Sequence, residues 1–260
     1  MREGAMATDK VSLASYAFHG LLAEGKMDLF GYLESCKFRY QVQADIWNGM
    51  LLSTEPDYLY KVREALDSRG LILANLCVDD AHIWEDDADA REANHQNALA
   101  HLKAAEILGA RTVRIDAGGD HRARVFTEEQ FDHIVSRYRQ YARRALDKGY
   151  MVGPENHWGP EVVPENMRRI CEAVDHPAFG VLLHFRGDAG DRVMAPWAMH
   201  THVSWDITEG PLTACMGMLR DAGYEGYWGV EHHSGRDEYT EVAVQIARVR
   251  DVLWRWQRGE

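Results

Sequence analysis

Residues 150–164 read YMVGPENHWGPEVVP. An apolar run, Tyr150-Met151-Val152, stops at Gly153-Pro154 and gives way at once to a carboxylate, an amide, an imidazole and an indole at Glu155, Asn156, His157 and Trp158. Glycine and proline punctuate strands, and proline has no N–H with which to continue a ladder. The pattern predicts a strand over 150–154 whose C-terminal end carries polar groups, the position at which a rigid scaffold presents functional loops. Alone, the stretch is better explained as a polar turn after a core strand. Its meaning depends on whether the rest of the chain supplies partners for Glu155 and His157.

Working outward, strand and helix alternate in both directions. Upstream lies a long helix over 127–148, with Thr127 and Glu129-Gln130 resembling a capping arrangement and Gly149 at its end. Before it come a strand over 111–115 and a helix over 88–108, whose Ala98, Leu102, Ala105 and Leu108 share one face. A strand over 71–78 (LILANLCV) is apolar throughout, as expected where both faces are covered. Helices over 27–38 and 54–68 and strands over 12–18 and 40–47 complete the first half. Downstream are strands over 179–183, 199–204 and 227–230, and helices over 164–174, 211–222 and 238–257. Too few residues separate His184 from Met199 for a full helix. Eight strand–helix units at a spacing of ~30 residues predict a closed (β/α)8 TIM barrel forming one domain over residues 1–260. A doubly wound dinucleotide-binding sheet has little support, because no Gly-x-Gly-x-x-Gly follows the first strand.

Composition narrows the partners. A formal net charge of −12 argues against a nucleic-acid backbone, which calls for a basic footprint. Cys36, Cys77, Cys171 and Cys215 are far apart and form no metal-type pair, which suits buried free thiols in a reducing compartment. The opening MREGAMATDK lacks a signal-peptide core, and no run approaches the length of a membrane span. The expected location is cytoplasmic. Thirteen histidines and eight tryptophans are many for this length, and a large share fall just after predicted strands.

In a barrel, those strand ends converge on one face. They carry Glu155 after the fifth strand, His184 after the sixth, His202 (with His200) on the seventh and Glu231 after the eighth. Two carboxylates and two imidazoles from four consecutive strands make a shell for one divalent ion such as Mn, Co, Mg, Zn or Ni.

The chain resembles the xylose isomerase-like barrel superfamily, the sugar phosphate isomerase/epimerase group that also holds apurinic-site endonucleases. The likeness runs from SLASYAF to YWGVEHH and is carried by AAEILGARTVRID, PENHWG, GVLL followed by a ligand position, and the His-x-His at His200–His202. It implies a metal held by Glu155, His184, His202 and Glu231. The sixth-strand ligand of the group is usually aspartate; His184 in its place leaves two formal negative charges and favours softer ions over Mg. The lysine that many members carry after the seventh-strand histidine is replaced by Ser204-Trp205.

The chemistry implied is proton transfer beside a carbonyl of a sugar-like substrate through an enediolate, with Glu155 and Glu231 taking and returning the proton on opposite faces. His157 is a substrate contact or an alternative base, and Trp158, Arg186, His200 and Trp205 are further candidate substrate contacts. Among the tryptophans near the expected mouth, Trp47 and Trp84 also offer flat faces, whereas Trp228, inside a strand, reads as core. The alternative is a keto-sugar lyase, a dehydratase or glycoside-cleaving eliminase, that uses the same enolate and draws a proton for the leaving group from His157, His184, His200, His232 or His233. An apurinic-site endonuclease is disfavoured by Gly187, where a further histidine is wanted, and by the acidic chain. The expected partner is thus a small sugar or keto-sugar, with no nucleic acid and no membrane; homo-oligomers occur in the group.

Overall fold

The computed structural model describes residues 10–260, so all but Lys10 of the opening stretch read for a signal sequence lies outside the described residues. Eight parallel strands follow one another around a single sheet: β1 (Val11–Ala14), β2 (Gln43–Trp47), β3 (Leu73–Val78), β4 (Thr112–Ile115), β5 (Met151–Gly153), β6 (Val181–His184), β7 (Ala198–Val203) and β8 (Trp228–Val230). Their order is β5-β4-β3-β2-β1-β8-β7-β6. The two ends meet through isolated parallel bridges, Val152 with Phe179 and Glu155 with Leu182. With helices between the strands, this is the expected TIM barrel. Every residue of β1, β3, β4 and β8 is buried, as a parallel sheet covered on both faces requires.

The helices are fixed by ordinary signals. Helix Glu128–Lys148 opens on a complete capping box, Gln130 N donating to Thr127 Oγ1 (3.2 Å) and Thr127 N to Gln130 Oε1 (2.8 Å). It buries Phe131, Ile134, Val135, Tyr138, Tyr141, Ala142 and Ala145, a single face at helical spacing. From that face the Tyr138 hydroxyl donates to the carbonyl of Ile115 (2.7 Å), tying the helix to the functional end of β4. The four cysteines are buried and unpaired, as expected. No helix among the described residues is long and apolar enough to cross a membrane.

The larger differences from the sequence reading lie at four places. The first strand stops at Ala14, and Ser15–Phe18 coil into a 3-10 turn. The Ser15 hydroxyl accepts the N–H of Trp47 (2.8 Å) while Phe18 turns into the core. The second strand begins only at Gln43, because helix Leu29–Glu34 runs on as a π-helical turn over Ser35–Tyr40 and ends at Gln41, with φ of 55°. The short span after β6 holds a six-residue helix, Ala189–Met194, capped by Asp188. A five-residue helix, Trp205–Glu209, follows β7, where no element was expected.

The closing seam decides where Glu155 stands. Pro154 has no N–H, and its carbonyl accepts Leu182 N (2.9 Å). Past it, the Asn156 side chain takes over the role of a strand: its Nδ2 donates to the His184 carbonyl (3.0 Å) and its Oδ1 accepts His184 N (2.7 Å). Gly153 and Gly180 pass so closely that a Cβ on Gly153 would lie 1.7 Å from the Gly180 oxygen. Gly153→Ala must therefore push the seam apart, and the expected cost is ~2–3 kcal/mol. Urea unfolding checks this, and an unchanged midpoint would show that the seam yields freely.

Candidate metal centre

Four strand ends bring Glu155, His184, His202 and Glu231 together, one ligand atom from each lying within 4.8 Å of the others. Glu155 Oε1 is 3.0 Å from His184 Nδ1 and 3.1 Å from His202 Nδ1. Glu231 Oε2 is 3.6 Å from the first imidazole and 3.2 Å from the second. Donor atoms bonded at ~2.1 Å to one ion are separated by about 3.0–3.4 Å in octahedral or tetrahedral arrangements, so three of these separations match the edges of one coordination polyhedron and the His184–Glu231 one, at 3.6 Å, is slightly longer. The donor set of two carboxylate oxygens and two imidazole nitrogens suits Zn, Mn, Co or Ni.

A buried carboxylate below the shell orients it. Asp45, on β2, is wholly buried and sets its Oδ2 at 2.8 Å from His200 Nε2 and 3.1 Å from His202 Nε2. Successive inward positions of one strand stack in layers, so His200 lies one layer beneath His202. His202 thus meets a carboxylate at each nitrogen. Burial would disfavour its charged form, but Glu231 and Glu155, with the bond to Asp45, push its pKa well above the usual imidazole value. An imidazole so placed is either doubly protonated or gives its outer nitrogen to a cation.

Arg114, on β4, organises the Glu155 side. Its NH1 donates to Asp79 Oδ1 (2.8 Å), Asp116 Oδ2 (3.0 Å) and the Val78 carbonyl (3.2 Å), and its Nε lies 3.3 Å from Glu155 Oε2. Asp116 Oδ1 accepts the backbone N–H of Glu155 (3.0 Å). Burial works to raise the pKa of Glu155, but the charges of His157 and His202 and the bonds from His184 and His202 hold it well below the usual range. Glu231 is lowered against burial by His202 and His233. Glu161 goes the other way. Burial and the neighbouring Asp116 raise its pKa well above the ordinary value, although its Oε1 accepts Ala117 N (2.7 Å).

Above the shell is a cavity of about 210 Å³, walled by Tyr16, Trp47, Asp79, Arg114, His157 and His233 as well as the four ligand candidates. His157 lines it, with Nδ1 3.5 Å from Glu155 Oε2. Trp158 stands outside that lining and packs on His82, ring centroids 4.7 Å apart. Arg186 lines an adjoining opening with His157, His184 and His233, and its NH2 holds the carbonyls of Asn156 (3.0 Å) and His157 (2.8 Å). His200 is fully buried on Asp45, and Trp205 packs against His232. Of the remaining histidines proposed as acids, His233 lies 3.1 Å from Glu231 Oε2 and faces the cavity, whereas buried His232 pairs with Glu241 (2.7 Å). Trp47 faces the cavity and Trp84 and Trp228 are buried, the last as expected. Asp45, Arg114, Asp116 and Glu161 were not read as site residues. A charged residue inside an alternating or apolar strand, as in QADIW and TVRID, was the available signal.

Comparison with known proteins matches residues 41–251 to the family described as xylose isomerase-like TIM barrel. Among solved structures, a xylose isomerase-like TIM barrel protein of Mycobacterium smegmatis in complex with magnesium superposes with a TM-score of 0.75 at 15% identity, covering 96% of this chain and 98% of that one. The probable 3-DHS dehydratase AsbF of Bacillus anthracis gives 0.71 at 14% identity, over 92% and 97%. A D-psicose 3-epimerase gives 0.70 at 16%, over 96% and 100%. Nothing among the curated proteins matches.

Two outcomes follow from the buried groups. Asp45→Asn keeps the shape but weakens the orientation of His202, so metal affinity should fall ~10–100-fold, read by competition with a chelating dye. For Glu161, a folded pKa above the unfolded value means that its contribution to stability is fully present below the unfolded pKa of ~4.3 and is lost as pH rises toward the folded one. Glu161→Gln removes that loss. The variant should match the parent at pH 4 and unfold at higher denaturant at pH 8.

Proposed function

Since the chain belongs to the xylose isomerase-like TIM barrel family, we propose that it is a divalent-metal-dependent enzyme that moves a proton beside the carbonyl of a keto-sugar. The observation that carries this reading is the convergence of Glu155 and Glu231 on one point, joined through His202 and His184 and open to a cavity of about 210 Å³. A cation held by Glu155, His184, His202 and Glu231 would polarise the carbonyl and the neighbouring hydroxyl and so acidify the C–H between them. The imidazole at His184 favours a softer ion than Mg.

The chain's own residues then handle the proton. Glu155 and Glu231 reach the shell from β5 and β8, so each addresses a substrate bound between them from a different side. A proton removed by one carboxylate and returned by the other to the opposite face of the same carbon gives epimerisation, and one returned to the adjacent carbon of the enediolate gives isomerisation. Tyr16 and Trp47 supply an apolar wall, and His157 and Asp79 supply hydrogen-bond partners for hydroxyl groups.

Elimination from the same enolate is the second reading, and one observation favours it. Each glutamate has a histidine on its cavity side, His157 beside Glu155 at 3.5 Å and His233 beside Glu231 at 3.1 Å, and either is placed to protonate a departing oxygen. Both epimerases and a dehydratase occur among the structural neighbours.

Incubation with keto-sugars in deuterated water separates the two. Deuterium at the carbon beside the carbonyl without loss of a group supports isomerisation, whereas release of water or an aglycone supports elimination. Glu155→Gln and Glu231→Gln should each slow exchange ~10²–10⁴-fold. Exchange at the parental rate in either variant removes that glutamate from the acid/base role.

A further inference from the structure

Phosphorylated and carboxylated sugars are held in enzymes by two kinds of donor: backbone N–H groups at helix starts and turns, and cationic side chains free to turn to the ligand. At this mouth, backbone donors and Arg114 are already bound to the chain's own acids. Gly20 N and Leu21 N, at the start of helix His19–Ala23, donate to Glu238 (2.8 and 3.2 Å). The loop after β6 turns Arg186 N and Gly187 N onto the Asp191 carboxylate (3.0 and 2.8 Å). After β4, Ala117 N is taken by Glu161 (2.7 Å). The short helix after β7, a place where barrels often seat phosphate, has Asp206 in its first turn, and Asp206 lines the outer opening.

The cations tell the same story. Arg114 is buried among Asp79, Asp116 and Glu155. The NH2 of Arg186 is held by two loop carbonyls, and that side chain shares the outer opening with Asp206. His184, His202 and His233 each stand against a glutamate. Meanwhile the cavity wall contains four carboxylates, at Asp45, Asp79, Glu155 and Glu231, and the whole chain carries −12. The remaining wall is Tyr16 set edge-on to Trp47, centroids 5.1 Å apart, with the Trp47 N–H bound to Asp79 (2.6 Å). Next to it, His157 Nδ1 is buried without a hydrogen-bond partner. An apolar face rimmed by acceptors suits the C–H face and O–H donors of a neutral ring.

On the keto-sugar reading above, we infer that the site takes an uncharged polyhydroxylated ketone and excludes phosphorylated and carboxylated sugars. Exclusion comes from carboxylates in excess of the charge that a bound dication and Arg114 would offset, and from the engagement of the backbone donors and of Arg114 by the chain's own acids.

The test is calorimetric titration of the manganese-loaded protein with a free ketohexose and with its terminal phosphate ester, each at ~20 mM and ~200 mM salt. Inorganic phosphate is titrated into the metal-free protein in parallel. The free sugar should bind at least ~10-fold more tightly than the ester, the gap should narrow at the higher salt, and phosphate should give no heat. An ester that binds as tightly as the free sugar, or phosphate captured by the metal-free protein, overturns the inference. If neither sugar binds and phosphate is also silent, the keto-sugar reading falls while exclusion of anions stands.

Discussion

Two glutamates buried against one another set the terms for the rest of this molecule. Glu155 is 3% exposed and Glu231 is 8% exposed, and Asp45 and Asp116 lie buried beside them. Like charges ~4 Å apart in a partly desolvated site repel by roughly 4 kcal/mol, and each also loses hydration. The barrel answers with cationic or cation-ready groups placed between the carboxylates. His202 stands between Asp45 and both glutamates, His184 between the glutamates, and Arg114 between Glu155 and Asp116. Glu231 Oε2 in turn lies 3.2 Å from His202 Nδ1 and 3.1 Å from His233 Nε2. The balance of donors and acceptors is that of a site completed by a positive charge.

Backbone geometry holds that arrangement in register. Tyr138 fixes the end of β4 through the Ile115 carbonyl, and the next residue, Asp116, accepts the N–H of Glu155. From the other side, the Asn156 amide pairs with the backbone of His184. Glu155 and His184 are therefore set relative to one another by an amide acting as a surrogate strand, at the point where Pro154 ends the ladder. The closest approach in the seam is between Gly153 and Gly180, and only glycine allows it. The fold and the site meet in the four residues Gly153, Pro154, Glu155 and Asn156.

Much of this was legible because the periodic signals are local. The cadence of strands and helices yields the barrel, and strand ends converge on one face in any barrel, so Glu155, His184, His202 and Glu231 could be named before any coordinates. What was missed depends on inward or outward facing and on contacts distant in sequence. His200 and His202 share a side of β7, yet only depth in the barrel separates a buried bond to Asp45 from a place in the shell. Asp45 and Arg114 are charged residues inside strands, acceptable only because each finds partners from other strands. Trp158 and Trp205 read as mouth residues, but loop conformation turns them onto His82 and His232. The continuation of helix Leu29–Glu34 through a π turn was hidden because 40–47 alternates like a strand from its first residue.

The two glutamates are not equivalent, and the difference bears on their chemistry. Glu155 is flanked by Arg114 and Asp116 and reaches the cavity beside His157, a partly buried imidazole whose Nδ1 has no hydrogen-bond partner. Glu231 is flanked by His233, whose side chain is 46% exposed and whose pKa is raised, first by its bond to Glu231. One carboxylate is thus locked in a desolvated ion-pair network, and the other is coupled to an imidazole in contact with solvent. On the proposed reading, a proton taken up on the Glu231 side has a route to water through His233, and one on the Glu155 side through the less exposed His157, whose side chain is 32% exposed. Inversion at a carbon needs a base on one face and an acid on the other, and elimination likewise needs one base and one acid. On the proposed keto-sugar reading the same arrangement would serve either course, and the leaving group that the substrate brings would distinguish them.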